Sequence, residues 1–472
     1  MAVTSSDYTL LIGGERVDTG AWIDVTSPYS GEVVGRVAKG GEAEARRAVD
    51  AAAAALERGL PAHERAAILD RVAELLVERH DELARTISAE AGKPLKAARV
   101  EAQRAVSTYR FSAVEARRIA GEMIPMESSA AGAGKLAFTL RKPLGVVGAI
   151  SPFNFPLNLV AHKIAPALAA GCPVVLKPAT ATPLSAYLLA DLEEEAGLPA
   201  GWLNVVTGSA SEIGDVLTND ERVKLITFTG SGEVGWGIAE RAVRKRVKLE
   251  LGNATPAIVC PDAPDDAAAR LAANAFSFSG QSCISVQRIY VVGDAWDGFV
   301  ADFVPKVEAL KVGDPADEDT DVGPVIAGSE RERILEWIRE SGGEILTGGD
   351  ETADGLIRPT VIANPRPTDK VQCEEIFGPV VTLSRVDSID EAVELANSTR
   401  YGLQAAVFSR DIKTALAVAP RLEFGGVTIN EAPSYRADQM PYGGVKASGN
   451  TKEGPAWTVR EMTEDLLVIV QL

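Results

Sequence analysis

A chain of 472 residues exceeds what one hydrophobic core supports, so two or three domains are expected. Its 46% hydrophobic and 24% charged residues are ordinary for a globular protein. The net charge of −18 argues against the basic footprint that nucleic acid or an anionic membrane needs, while leaving room for a local basic pocket.

Along the chain, residues 8–36 alternate apolar and polar around Gly13-Gly14 and Pro28, as one or two antiparallel hairpins would. Residues 41–120 are rich in Ala, Glu, Arg and Leu, and the spacing of Ala66, Leu69, Val72, Leu75 and Leu76 is helical. From residue 143 short apolar strands alternate with helices: strand 145–150, helix 157–170, strand 173–176, helix 184–195, strand 225–229. That rhythm predicts an α/β fold with a parallel sheet covered by helices on both faces. A second α/β series runs from about 256 to 430, and the chain ends on a strongly apolar strand, 465–472. Left free, such an edge would invite aggregation, so it is expected to pair within an assembly, with 135–140 as the candidate partner. No apolar run reaches the ~18 residues of a membrane span, and the N-terminus carries no secretory pattern. Cys172, Cys260, Cys283 and Cys373 are scattered without a CxxC, as in a reducing cytoplasm. His63, His80 and His162 are too far apart in sequence to suggest a metal cluster.

Gly230-Ser231-Gly232-Glu233-Val234-Gly235 fits G-x-G-x-x-G directly after strand 225–229 and opens a helix, which makes it a dinucleotide-binding candidate. Glu250 lies where a simple dinucleotide fold would place its ribose-binding acid. Flanked by Leu249, Leu251 and Gly252, it could equally be a poorly solvated carboxylate with a raised pKa, suited to general-base work. These residues alone do not choose between the two roles. Cys283, in FSFSGQSCIS, sits among small polar residues just after Gly280. A lone buried cysteine is more often a small hydrophobe than a nucleophile, so this assignment leans on the rest of the chain.

The motifs PFNFP (152–156), VLKPA (175–179), FTGSGEVG (228–235), LELGN (249–253), GQSC (280–283), EEIFGPV (374–380), NSTRYGL (397–403) and PYGGVKASG (441–449) follow one another in the order found in the aldehyde dehydrogenase superfamily, which the chain resembles over essentially its whole length. The resemblance implies a Rossmann-type cofactor domain (1–122 and 142–252), a catalytic domain (253–448) and an oligomerisation arm (123–141 and 449–472) that exchanges with a partner subunit in a homodimer or homotetramer. It implies that Cys283 is the nucleophile, that Asn154 and the Cys283 N–H form the oxyanion hole, and that Glu250 is the base for deacylation. NAD or NADP would be held by Lys177 at the adenosine ribose, Ser231 at the pyrophosphate, and Glu375 with Phe377 on the nicotinamide ribose side. Ser151, Phe153, Thr180, Gly208, Phe228, Thr229, Gly230, Gly235 and Leu251 complete the implied cofactor site.

Two departures bear on specificity. Many NAD-preferring members carry Glu where this chain has Thr180, and a neutral hydroxyl there would not repel a 2′-phosphate, so NADP is admissible beside NAD. The stretch Asn450-Thr451-Lys452-Glu453-Gly454 also differs from many members, and the sequence offers no mechanism for it. NEAPSYRADQMPYGG (430–444) with VREMTE (459–464) resembles the branch acting on lactaldehyde, glyceraldehyde 3-phosphate, sulfolactaldehyde or phosphonoacetaldehyde. Some relatives grip an anionic substrate with three arginines; Arg110 and Arg436 fit two of those places and Ser282 takes the third. The expected reaction is oxidation of a short hydrophilic aldehyde in the cytoplasm, with no nucleic-acid or membrane partner. A CoA-acylating dehydrogenase and a non-catalytic binding protein of the same fold are the alternatives; Glu250 disfavours the first, and Cys283, Glu250 and Asn154 together disfavour the second.

Overall fold

Alternating side chains decide how the layers form. In the computed structural model, which describes residues 6–472, Val147, Ala149, Val174, Leu176, Leu203 and Val205 face one buried cluster, and Val146, Val175, Ile226, Phe228 and Leu249 face another. A strand places successive side chains on opposite faces, so a sheet that is apolar at every position must be covered twice. Helices cover it on both sides. The sheet has seven strands in the order Arg246–Glu250, Val223–Thr229, Val146–Ile150, Val174–Lys177, Leu203–Val205, Leu10–Ile12, Glu15–Val17. The first five are mutually parallel. The expected N-terminal hairpin Leu10–Val17 extends this sheet as its antiparallel edge.

A second seven-stranded sheet, from Thr255–Val259 to Gly426–Ile429, is parallel except for its edge strand Glu344–Thr347 and is likewise buried on both faces. The helical stretch 41–120 resolves into Glu42–Arg58, Ala62–Glu78, His80–Ala91 and Leu95–Arg118, with the second and fourth starting just after Pro61 and Pro94. Proline lacks an N–H and is well tolerated at that boundary. The C-terminal strand Thr463–Gln471 pairs antiparallel with Lys135–Pro143 along its whole length, in register Leu466 to Leu140. The partner strand is the expected one, paired within the chain, and Thr463–Gln471 remains the outer strand of this three-stranded sheet with its other edge open. No helix among the described residues is long and apolar enough to cross a membrane.

The topology delivers the chemistry to one end of the first sheet. Ser151 follows strand Val146–Ile150, Lys177 ends Val174–Lys177, Gly230 follows Val223–Thr229, and Glu250 ends Arg246–Glu250. These are the carboxyl ends of parallel strands, where ligands bind in open α/β sheets.

Candidate active site

Cys283 stands at the exit of a contorted turn. Phe278, Ser279 and Gly280 take φ of 49°, 56° and 71° in succession. For Phe and Ser that conformation costs roughly 1–3 kcal/mol each and persists only where the surroundings enforce it. The surroundings are specific. Ser279 Oγ donates to the Gly323 carbonyl at 2.7 Å, and Gln281 accepts from the Ile326 N–H at 2.8 Å and donates to the Pro324 carbonyl at 3.2 Å. A Cβ at Gly280 would lie 2.0 Å from the Gly378 oxygen, so this position admits only glycine. The turn leaves Cys283 half-buried at the floor of a cleft of about 210 Å³, with Sγ 2.8 Å from the Tyr442 hydroxyl. Burial pushes its thiol up to about 12, against the pull of the Tyr442 hydrogen bond.

Asn154 reaches the same turn: its Nδ2 donates to the Gln281 carbonyl at 3.0 Å, two residues before Cys283. An amide has two N–H donors, so one is left over. A buried ion pair that the sequence reading missed holds Asn154 in place. Lys93 pairs with Glu101, donates to the Asn154 carbonyl at 2.7 Å, and sits 3.7 Å and 4.4 Å from the ring centroids of Phe155 and Phe278. Glu101 in turn accepts the N–H groups of Leu157 and Asn158 at the start of helix Asn158–Ala170. The available signal was Glu101 as the one charged residue on the buried face of helix Leu95–Arg118.

Glu250 is 4% exposed, and neither carboxylate oxygen has a hydrogen-bond partner. Burial, then repulsion from Glu453, raises its pKa well above the usual carboxylate range. A Cβ at Gly443 would lie 2.6 Å from its Oε1, so the chain passes this carboxylate with room for a hydrogen and nothing larger. Glu453 belongs to the stretch for which the sequence offered no mechanism. Burial opposes its charge, but Lys163 (3.5 Å) and Arg436 (2.9 Å) outweigh that and hold it well below the usual range. Of two neighbouring buried carboxylates, one takes the cations and the other keeps the proton.

Of the two expected substrate arginines, Arg436 lines the cleft, its side chain 5% exposed and 3.8 Å over the Tyr442 ring. Arg110 does not. It is exposed on the outer face of helix Leu95–Arg118, because six residues turn a helix well past the facing side. Arg104, six residues earlier, takes the cleft position and is anchored to Asp438 at 2.8 Å. Asp438 also accepts from Asn158 at 3.2 Å and contacts His162 at 3.0 Å, a hub assembled across some 280 residues of chain. Ser282 lines the cleft beside Cys283.

The residues implied for the cofactor gather at the strand ends. Lys177 is buried with only the Pro178 carbonyl as acceptor, and Ser151 Oγ is buried with none. Ser231 is the residue before helix Gly232–Arg241, and its side chain makes no capping bond, which leaves first-turn N–H groups for an anion. Thr180 is exposed, whereas Gly208, Phe228, Gly235 and Leu251 are buried, and half-buried Thr229 accepts from Lys163 at 2.7 Å. Gly230 donates its N–H to the Glu250 carbonyl at 3.2 Å. Phe153 and Phe377 pack edge to face at 5.8 Å. Glu375 accepts the Asn253 N–H at 2.9 Å, and burial raises it to about 7. Orphaned Ser151, under-satisfied Lys177 and the open helix terminus fit a dinucleotide. Among the described residues no three His, Cys, Asp or Glu side chains form a metal-binding group.

A buried thiol, an amide donor beside it and an unpartnered carboxylate, set at the end of a dinucleotide-type sheet, define a cofactor-dependent oxidoreductase site. The model of the Aldehyde dehydrogenase family matches residues 16–468, and the chain belongs to that family. It is 43% identical over 470 residues to the 3-sulfolactaldehyde dehydrogenase of Priestia aryabhattai, covering 98% of each chain. Among solved structures it is similar to aldehyde dehydrogenase 21 of Physcomitrella patens in complex with the reaction product succinate (41% identity, TM-score 0.96, 99% of each chain). It is also similar to the NADP-dependent glyceraldehyde-3-phosphate dehydrogenase of Bacillus halodurans complexed with NADP (37%, TM-score 0.95, 99% of each chain). The reaction is the NAD(P)-dependent oxidation of a small aldehyde.

Proposed function

We propose that this enzyme oxidises a short, hydrophilic, anionic aldehyde to its carboxylate, with Cys283 as nucleophile, Asn154 at the oxyanion and Glu250 as base. The observation that carries this reading is the cleft itself, lined together by Cys283, Arg104 and Arg436. Attack of Sγ on the carbonyl carbon converts the carbonyl oxygen to an oxyanion. The spare N–H of Asn154 stabilises it together with the Cys283 N–H, which has no acceptor among the described residues. Bound nicotinamide supplies the acceptor for the hydride that leaves this carbon. Cys283 then carries a thioester, and Glu250, once ionised, takes the proton of the water that cleaves it. An ionisable base at this place favours water over CoA as the acyl acceptor.

The headgroups named for the similar proteins also support the anionic reading: a sulfonate in the sulfolactaldehyde enzyme, a phosphate in the glyceraldehyde-3-phosphate enzyme and a carboxylate in bound succinate. Arg104 and Arg436 would meet such a group here, Lys177 and Ser231 the cofactor, with Thr180 admitting NADP as well as NAD. The division into a cofactor domain (1–122 and 142–252), a catalytic domain (253–448) and an arm (123–141 and 449–472) is part of the same reading. So is assembly as a homodimer or homotetramer: Leu140, Leu466 and Val470 on one face of the terminal strand pair and Leu467 and Ile469 on the other are all at least 40% exposed, apolar surface that a second copy would cover. A cytoplasmic location accords with four cysteines that are all free. The decisive test is Cys283→Ala, expected to abolish aldehyde oxidation while nicotinamide cofactor still binds. Turnover comparable to the parent enzyme would place the nucleophile elsewhere.

A further inference from the structure

In the cleft the Tyr442 hydroxyl meets the sulfur of Cys283. Tyr442 is 3% exposed and packs with Ile284 and Leu403, with Met440 and Cys283 alongside. In that apolar setting a phenylalanine would fit as well, so the hydroxyl needs a reason. Among the described residues its sole hydrogen-bond partner is Cys283 Sγ, at 2.8 Å. The ring is fixed from two sides. Its backbone exchanges both hydrogen bonds with Glu453, at 2.9 Å and 2.5 Å, and the Arg436 guanidinium lies 3.8 Å over its face. A cation over the ring draws electron density from it and makes the phenol a better donor.

We propose that Tyr442 is a catalytic residue whose O–H donates to the Cys283 sulfur, stabilising the thiolate inside an apolar cluster and aiming it into the cleft. This rests on the reading of Cys283 as the nucleophile. Tyr442 makes and breaks no covalent bond: the thiol proton leaves to water, the phenol keeps its own, and the sulfur lone pair then attacks the aldehyde carbon. A thiolate can only accept, so the direction of the hydrogen bond is set once the proton has left. Burial favours the thiol; the Tyr442 hydrogen bond is the larger opposing effect, and the Arg436 charge adds to it.

The size of the effect follows from two opposing terms. A hydrogen bond to a charged group shifts the ionisation by about one to two pH units, and a less basic thiolate is a weaker nucleophile by a little under half of that on a logarithmic scale. Losing the bond should therefore slow the sulfur near neutral pH about three- to tenfold. The experiment uses the full-length enzyme carrying Tyr442→Phe. Iodoacetamide labelling of Cys283 is followed by mass spectrometry, and kcat/KM and cofactor affinity are measured in parallel. Expected are labelling and kcat/KM both about three- to tenfold lower, with cofactor affinity unchanged. The same enzyme with 3-fluorotyrosine at position 442, a stronger donor, should shift labelling the other way. Labelling that is unchanged in Tyr442→Phe means the contact does not favour the thiolate, and faster labelling means the thiol donates to the phenol; either overturns the proposal. Slower labelling with kcat/KM unchanged overturns the catalytic role of Tyr442 while leaving the hydrogen bond in place; the reading of Cys283 as nucleophile falls separately, if Cys283→Ala retains turnover.

Discussion

Replacing Glu250 with Gln keeps its volume and removes its charge, which separates the two roles a carboxylate at this strand end could have. The side chain is buried, unpartnered and repelled by Glu453, all of which disfavour its ionised form. Only the ionised fraction can take a proton from water. Where thioester hydrolysis limits turnover, kcat should rise about tenfold per pH unit until the raised pKa is reached. In Glu250→Gln that slope should vanish and turnover should fall by about 100- to 10,000-fold, the usual reach of a positioned general base. Hydride transfer precedes the step Glu250 serves, so rapid mixing should still show a burst of reduced nicotinamide near one equivalent per subunit. A variant with near-normal turnover at saturating cofactor and a raised cofactor KM would refute the base and make Glu250 a ribose ligand. The same ionisation has a cost in stability. Above the ordinary value of 4.5 the native state holds a proton that the unfolded chain has released, so this group's contribution to stability falls as pH rises toward its raised pKa.

Arg104→Gln should lower kcat/KM for a phosphorylated, sulfonated or carboxylated aldehyde about ten- to a hundredfold, the worth of one charge-assisted hydrogen bond, and leave a neutral analogue of equal length nearly untouched. Arg436→Gln should harm both substrates, because that guanidinium also holds Glu453 and covers Tyr442; equal losses for charged and neutral aldehydes in Arg104→Gln would make Arg104 structural. Glu101→Leu strands a buried ammonium and should cost about 3–5 kcal/mol in urea unfolding, whereas adding Lys93→Met should restore much of it. Simple additivity in that double variant would refute the coupling.

What could be read from the sequence was local. Helix Leu184–Glu195 and strands Val174–Lys177 and Val223–Thr229 lie within two residues of where apolar runs and bounding glycines or prolines put them. Cys283, Glu250 and Asn154 could be named because each sits inside a short motif. The N-terminal hairpin could be seen, but not the sheet edge it joins, because Gly13 finds its acceptor on Asn204, 191 residues away. Arg110 and Arg104 failed for a related reason. Both lie on one helix, and the face that meets the cleft is set by what packs against it rather than by the helix's own spacing.

The charges around the reaction centre show why such partners escape a linear reading. One loop, 430–453, supplies Arg436 to the cleft, Asp438 to Arg104, Tyr442 to the sulfur, Gly443 to the clearance beside Glu250, and Glu453 to the cations. Arg436 and Lys163 are the cations that act most on Glu250, and Glu453 takes both. Had Glu250 taken either one, it would be ionised at neutral pH but too weak a base to draw a proton from water. Stranding it without a partner keeps it basic, and Glu453 is what makes that arrangement stable, because it neutralises the buried cations that would otherwise claim the catalytic carboxylate. Glu453→Gln should then release Arg436 and Lys163 toward Glu250, lower the pH at which turnover begins to rise, and reduce the rate on the plateau. The segment that read as an unexplained departure thus sets the basicity of a residue 203 positions away, the same separation that Asn450 spans to the Val247 carbonyl.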